Sequence, residues 1–142
     1  MKMDHVPRLI FWELTKECNL TCIHCRAEAE NIRYEGELTF SDVTAVIDDI
    51  AAHYRPILVL TGGEPLYRED IFPIARYAFD KGLKTALASN GTLIDDDMAR
   101  GIKEAGIRRV SISLDGSNAA SHDGFRGIPG SFDRALGGIA AV

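Results

Sequence analysis

The stretch ILVLTGGEP, residues 57–65, decides how the rest of the chain is read. Ile57–Thr61 is a short, continuous apolar run that breaks at once into a turn made by two glycines and a proline. Runs of this length and composition are strands covered on both faces, the habit of parallel sheets. Gly-Gly followed by Glu-Pro then punctuates the strand at its carboxyl end.

Working outward, the same alternation recurs. Upstream, TFSD at residues 39–42 resembles a capping box with Asp42 at the third helical position. Val43, Val46, Ile47, Ile50 and Ala51 follow at helical spacing, and Pro56 stops any continuation. Further back, residues 9–15 (LIFWELT) read as a first strand, and the charged, aperiodic residues 27–37 as a loop. Downstream, Ile71, Ile74, Ala75, Ala78 and Phe79 mark a helix ending at Gly82, and residues 84–89 (KTALAS) a third strand. Ile94, Met98, Ile102 and Ala105 predict a helix closed by Gly106, followed by a fourth strand at 109–114 (RVSISL). A Gly-rich loop then leads to Ser131, the expected cap of a last helix bearing Phe132, Ala135, Leu136 and Ile139.

Four strand–helix units argue for an α/β fold of parallel strands joined by right-handed crossovers. A closed barrel has eight such units, so these four predict part of a TIM-like (β/α) barrel. The chain stops inside the last helix, and we expect residues 1–142 to be the N-terminal portion of a longer core domain. A small open four-stranded sheet is the alternative.

Composition narrows the function. The chain of 142 residues is 46 % hydrophobic and 26 % charged, as an ordinary globular protein is. Its net charge of −5 argues against a nucleic-acid partner, since phosphate binding needs a basic face. No apolar run approaches the roughly 18 residues that span a bilayer, and MKMDHVPRLIFW lacks the marks of a signal peptide. We expect a cytoplasmic protein whose thiols stay reduced and serve metal binding or chemistry.

The unusual residues all fall at strand ends. Cys18, Cys22 and Cys25, spaced C-x3-C-x2-C, follow the first strand; GGEP follows the second; SNG follows the third; SLDG ends the fourth. The carboxyl ends of parallel strands are where α/β folds build their sites, so these groups predict one pocket. Thiolates are the usual ligands of iron–sulfur clusters. Three of them on a four-iron cubane would leave one iron open. Spacing alone leaves two other readings in place: a zinc site completed by His24 or His5, or free thiols. Gly62 and Gly63 let backbone approach a ligand closely, and Glu64 offers it a carboxylate. Ser89, Asn90, Ser113 and Asp115 suit ribose hydroxyls, or equally turn formation and capping.

Taken together, CxxxCxxC, GGEP and SLDG in this order resemble the radical S-adenosylmethionine (SAM) enzymes, from about Pro7 onward. The resemblance implies a partial (β/α)6 barrel. It implies that Cys18, Cys22 and Cys25 hold a 4Fe–4S cluster whose fourth iron chelates SAM. Gly62, Gly63, Glu64 and Pro65 match the motif that contacts the SAM amino group. Ser113 and Asp115 lie where the family often contacts ribose, with Ser89 and Asn90 as further candidates. His24 stands where Tyr or Phe is common, near the adenine, and Arg126 is a candidate clamp for a SAM or substrate carboxylate. The implied reaction is one-electron cleavage of SAM to a 5′-deoxyadenosyl radical that abstracts hydrogen from substrate, with an electron donor such as flavodoxin or ferredoxin.

Within the family, FWELTKECNLTCIHCRA and HDGFRGIPGSFDRAL resemble the branch acting on tetrapyrrole side chains in haem and d1-haem synthesis. Peptide-modifying maturases share most of these motifs. A metal-binding module without catalysis, holding zinc or an electron-transfer cluster, is the reading from another class. Elsewhere Trp12 reads as core, Glu13 as a charge needing a partner, and His53 as solvated. His122 and Asp123 stand beside the expected site without an assigned role.

Overall fold

The computed structural model describes residues 6–142, so His5, one of the two candidate fourth zinc ligands, lies outside the described residues. Strands β1 (Leu9–Glu13), β2 (Ile57–Thr61), β3 (Lys84–Ser89) and β4 (Ile107–Ile112) form one sheet in that order, with every neighbouring pair parallel. Helices α1 (Phe40–His53), α2 (Ile71–Asp80) and α3 (Asp96–Glu104) make the three crossovers, and α4 (Ala119–Arg126) and α5 (Ser131–Ala141) follow β4. The α/β order expected from the sequence is the order found.

Local chemistry explains why each element starts where it does. Thr39 Oγ1 accepts from Asp42 N at 3.3 Å and Asp42 Oδ2 accepts from Thr39 N at 2.9 Å, the reciprocal capping box expected for α1. From there Val43, Ile47 and Ala51 carry one buried stripe. They meet Leu58, Leu60 and Leu87, which point from the sheet into the same core as Ile74, Ala75 and Ala78 of α2. Each fully buried large aliphatic side chain here contributes about 1.5–3 kcal/mol. Trp12 is half-buried against this core, and Glu13 finds its partner in Arg26 at 2.5 Å.

The opposite face of the sheet is different. Leu9, Phe11 and Ile57 are exposed there, Phe11 at 64 %. ILVLT therefore has helices against one face only among the described residues, the coverage of a barrel wall rather than of a doubly wound sheet. No described helix is long and apolar enough to cross a membrane.

Four expectations need correcting. Strand β4 spans Ile107–Ile112 rather than 109–114: Ile107 pairs with Thr85 directly after Gly106, and the register slips between Thr85 and Ala86. Ser113 and Asp115 consequently lie past the strand, in the loop. Ile94 precedes α3 instead of starting it, because Asp95 takes the N-cap and accepts from Met98 N at 2.8 Å; Ile94 stays buried in the core. The stretch read as a Gly-rich loop contains α4, capped by Asn118, which accepts from Ser121 N at 3.0 Å. Helix α4 also overturns Ser131 as a cap. The orphan N–H groups at the start of α5 bond to Asp123 of α4, which accepts from Gly130 N at 2.6 Å and Phe132 N at 2.8 Å. Ser131 itself donates to Asp123 at 2.8 Å.

Candidate functional site

The loop after β1 winds its three thiols round one side of a cavity of about 280 Å³. All three cysteines are free, Cys18 buried and Cys22 and Cys25 half-buried. Each sulfur receives an N–H. Leu20 N donates to Cys18 Sγ at 3.4 Å, and Ala29 N to Cys25 Sγ at 3.3 Å. Glu28 makes the second of these contacts reachable, holding a left-handed φ of 47° one residue earlier. Arg126 Nη1 donates to Cys22 Sγ at 3.5 Å, and Asn90 Nδ2 approaches Cys18 Sγ at 3.8 Å. Burial pushes the Cys18 thiol above its ordinary value, opposed by the Leu20 N–H.

GGEP supports this loop from beneath. Gly62 has a φ of 152°, and a side chain there would run into the Thr15 backbone. At Gly63 an added Cβ would stand 2.5 Å from the Glu17 carbonyl oxygen. The two glycines thus admit the chain's own backbone just ahead of Cys18. Two hydrogen bonds lock the contact, Gly63 N to Thr15 O and Glu64 N to Glu17 O, both 2.8 Å.

Glu64 is fully buried, and its carboxylate faces inward rather than into the cavity. It accepts from Leu66 N at 3.1 Å, from Ser89 Oγ at 2.9 Å and from Asn90 N at 2.7 Å. Burial raises its carboxyl above the usual range, and these three donors pull the other way. Pro65 opens a 3₁₀ turn, Pro65–Tyr67, that leads away from the site. Ser89 and Asn90 are buried as well. Asn90 Nδ2 donates to Asn19 Oδ1 at 2.8 Å, and Asn19 Nδ2 donates to Thr92 Oγ1 at 2.8 Å. This polar web ties the tips of β2 and β3 to the cysteine loop. Asn19 and Thr92 belong to it and carry no sequence signal of their own; only their pairing across 73 residues reveals them.

Helix α4 closes the other side. Its carboxyl end accepts two N–H groups from the cysteine loop, Thr21 N to Arg126 O at 3.2 Å and Ile23 N to Phe125 O at 3.0 Å. His24 stacks on Phe125 with ring centroids 4.2 Å apart and an interplanar angle of 17°. Arg126 is 9 % exposed and pairs with Asp115, and its Nε is buried with no hydrogen-bond partner. Ser113 lines the cavity, and its N–H donates to Ser89 O at 3.1 Å.

The structure therefore brings the cysteines, His24, Gly62, Gly63, Ser89, Asn90, Ser113 and Arg126 to one cavity. Glu64 underpins it from within, and Asp115 reaches it through Arg126. Among the described residues no three His, Cys, Asp or Glu side chains converge on a single point, as a lone zinc ion requires.

A parallel βα wall whose strand tips gather three thiols defines a class, and residues 12–142 match the model of the Radical SAM superfamily. The chain belongs to that superfamily, whose members use SAM and an iron–sulfur cluster. Over 140 residues it is 50 % identical to the AdoMet-dependent heme synthase of Methanosarcina barkeri, covering 99 % of this chain and 40 % of that protein. It is 38 % identical to the pre-heme d1 synthase of Dinoroseobacter shibae, covering 92 % of this chain and 32 % of the relative. The mycofactocin maturase MftC of Mycobacterium tuberculosis is 35 % identical over 96 % of this chain and 35 % of its own length. The chain thus spans about two-fifths or less of these relatives. Among solved structures, Streptococcus suis SuiB bound to S-adenosylmethionine superposes with a TM-score of 0.76 at 19 % identity, covering 92 % of this chain and 30 % of that one. A partial TIM-barrel core is the shared fold.

Proposed function

We propose that residues 1–142 form the cluster- and SAM-binding part of a radical SAM enzyme, and that Cys18, Cys22 and Cys25 hold a 4Fe–4S cluster. The observation that carries this reading is that three thiols, each given its own N–H donor, line one cavity with the strand tips. Such donors stabilise thiolate ligands and set the potential of the group they hold. Three thiols spread round a volume suit a polynuclear group, whose ligands bind different irons.

When bound, the cluster and SAM supply one-electron reductive cleavage of the sulfonium. The chain's own residues bind and orient. With Glu64 turned inward, the backbone of Gly62 and Gly63 is what GGEP can offer a SAM amino group, and Pro65 shapes the turn behind them. The unpartnered Nε of Arg126 is a buried donor left for a carboxylate, which makes Arg126 the clamp for the SAM carboxylate. Ser113, beside the cavity, is the candidate ribose contact, with Asp115, Ser89 and Asn90 supporting it; His24, stacked on Phe125, extends an aromatic shelf for the adenine.

The relatives support a tetrapyrrole side chain as substrate, since identity is 50 % to a heme synthase and 35 % to a maturase. A peptide substrate follows from the maturase likeness and ranks second. The electron donor is a small electron-carrier protein of the flavodoxin or ferredoxin class, and the expected location is cytoplasmic.

Anaerobic reconstitution with iron, sulfide and zinc offered together tests the metal assignment. We expect iron and sulfide to be taken up at about four each per chain, and C18A, C22A or C25A to lose most of this. One zinc per chain with no iron uptake would overturn it.

A further inference from the structure

His122 is a buried, titratable side chain that the proposed chemistry does not use. It is 1 % exposed, and its Nδ1 accepts the backbone N–H of Asp115 at 3.2 Å. The contact fixes the tautomer, because an acceptor Nδ1 places the ring proton on Nε2. The backbone fit is just as close: a Cβ at Gly116 would stand 2.5 Å from His122 N. The turn Asp115–Gly116 is therefore moulded onto the middle of α4, four residues before Arg126.

The two ends of that contact meet again at the cavity. Asp115, held through its N–H by His122, pairs through its carboxylate with Arg126, one helical turn further along α4. Arg126 in turn donates to Cys22 Sγ and keeps its Nε for a ligand. A guanidinium at the end of a long, freely rotating side chain needs such a frame. Without it, a single carboxylate on a mobile turn would hold it loosely, and orientation is what a bidentate clamp supplies.

We propose that His122 is the positioning residue of this site: by fixing the Asp115 turn it aims the Arg126 guanidinium between Cys22 and the bound SAM carboxylate. The inference rests on the reading of Arg126 as the carboxylate clamp and extends it by one residue.

The test compares H122N, whose Oδ1 can reproduce the Nδ1 acceptor, with H122L, which fills the space without one. SAM affinity of the anaerobically reconstituted protein is measured by titration, and the unfolding midpoint of each variant is measured beside it. We expect H122L to weaken SAM binding about tenfold, the loss of one buried hydrogen bond, and H122N to stay within about twofold of the parent. In an R126Q background, itself weakened, H122L should cost nothing further, since the residue it aims is gone. A role confined to packing would lower the midpoint in both His122 variants and leave the losses additive with R126Q. Equal losses for H122N and H122L, or the same loss from H122L with and without Arg126, would overturn the proposal. If R126Q binds SAM as the parent does, the clamp reading falls and this inference falls with it. If R126Q weakens binding while H122L does not, this inference alone fails.

Discussion

Glu64 and Arg126 bury charge in opposite ways, and the difference separates scaffold from site. Glu64 has three donors and no cation, and both of its carboxylate oxygens are hydrogen-bonded. Arg126 has a carboxylate and a sulfur but leaves Nε unpaired, a cost that a ligand oxygen would repay. Replacing Glu64 by Gln would turn an NH₂ group toward one of these donor sets. We expect E64Q to lose about 1–3 kcal/mol in denaturant unfolding; an unchanged midpoint would show that the contacts contribute nothing. Gly63 makes a sharper test of the link from scaffold to site. In G63A the new methyl must displace the Glu17 carbonyl, one residue ahead of Cys18. Iron uptake should fall by more than half while the helix content stays constant. Full uptake by G63A would show that the cysteine loop does not depend on that close approach.

At the scale of elements, α4 is the part the sequence hid and the site most needs. Its eight residues include only one large apolar side chain, Phe125, and a glycine, so hydrophobic period could not reveal it. Its stability comes instead from the Asn118 cap and from contacts to the cysteine loop, which are tertiary. The opposite held for α1, where a capping box and an apolar stripe stood together in sequence. The strand-tip motifs were legible for a similar reason, since turn residues directly follow apolar runs. What they touch was not legible: the glycines of GGEP line the cavity and also admit the Thr15–Glu17 backbone, and Glu64 bonds inward to Ser89 and Asn90. Asp123 joins α4 to α5, and its pKa is lowered, first by the Phe132 N–H. A lowered carboxyl contributes stability above its unfolded value of 3.8, and that contribution is lost as pH falls through the lower folded value. We therefore expect wild type to melt above D123N at neutral pH, with the gap closing as pH drops below 3.8. A gap that stays constant with pH would contradict the charged cap.

At the scale of the molecule, one face of the sheet is covered by helices and the other exposes Leu9, Phe11 and Ile57. Strand order and parallel direction followed from the alternation of apolar periods. One-sided coverage did not, because a barrel strand and a doubly wound strand are equally apolar in sequence. The relatives are more than twice as long as this chain, and we regard its residues as the first part of a larger barrel. Binding and turnover then separate: the chain should hold the cluster and SAM yet convert substrate slowly or not at all. Robust conversion by these residues alone would refute that division. The claim on which everything else rests is that the three cysteines leave a place for SAM beside them. It is tested most directly by the EPR spectrum of the reduced, reconstituted protein before and after SAM is added. We expect an iron–sulfur signal whose g-values shift on addition of SAM, and a spectrum that SAM leaves unchanged would contradict it.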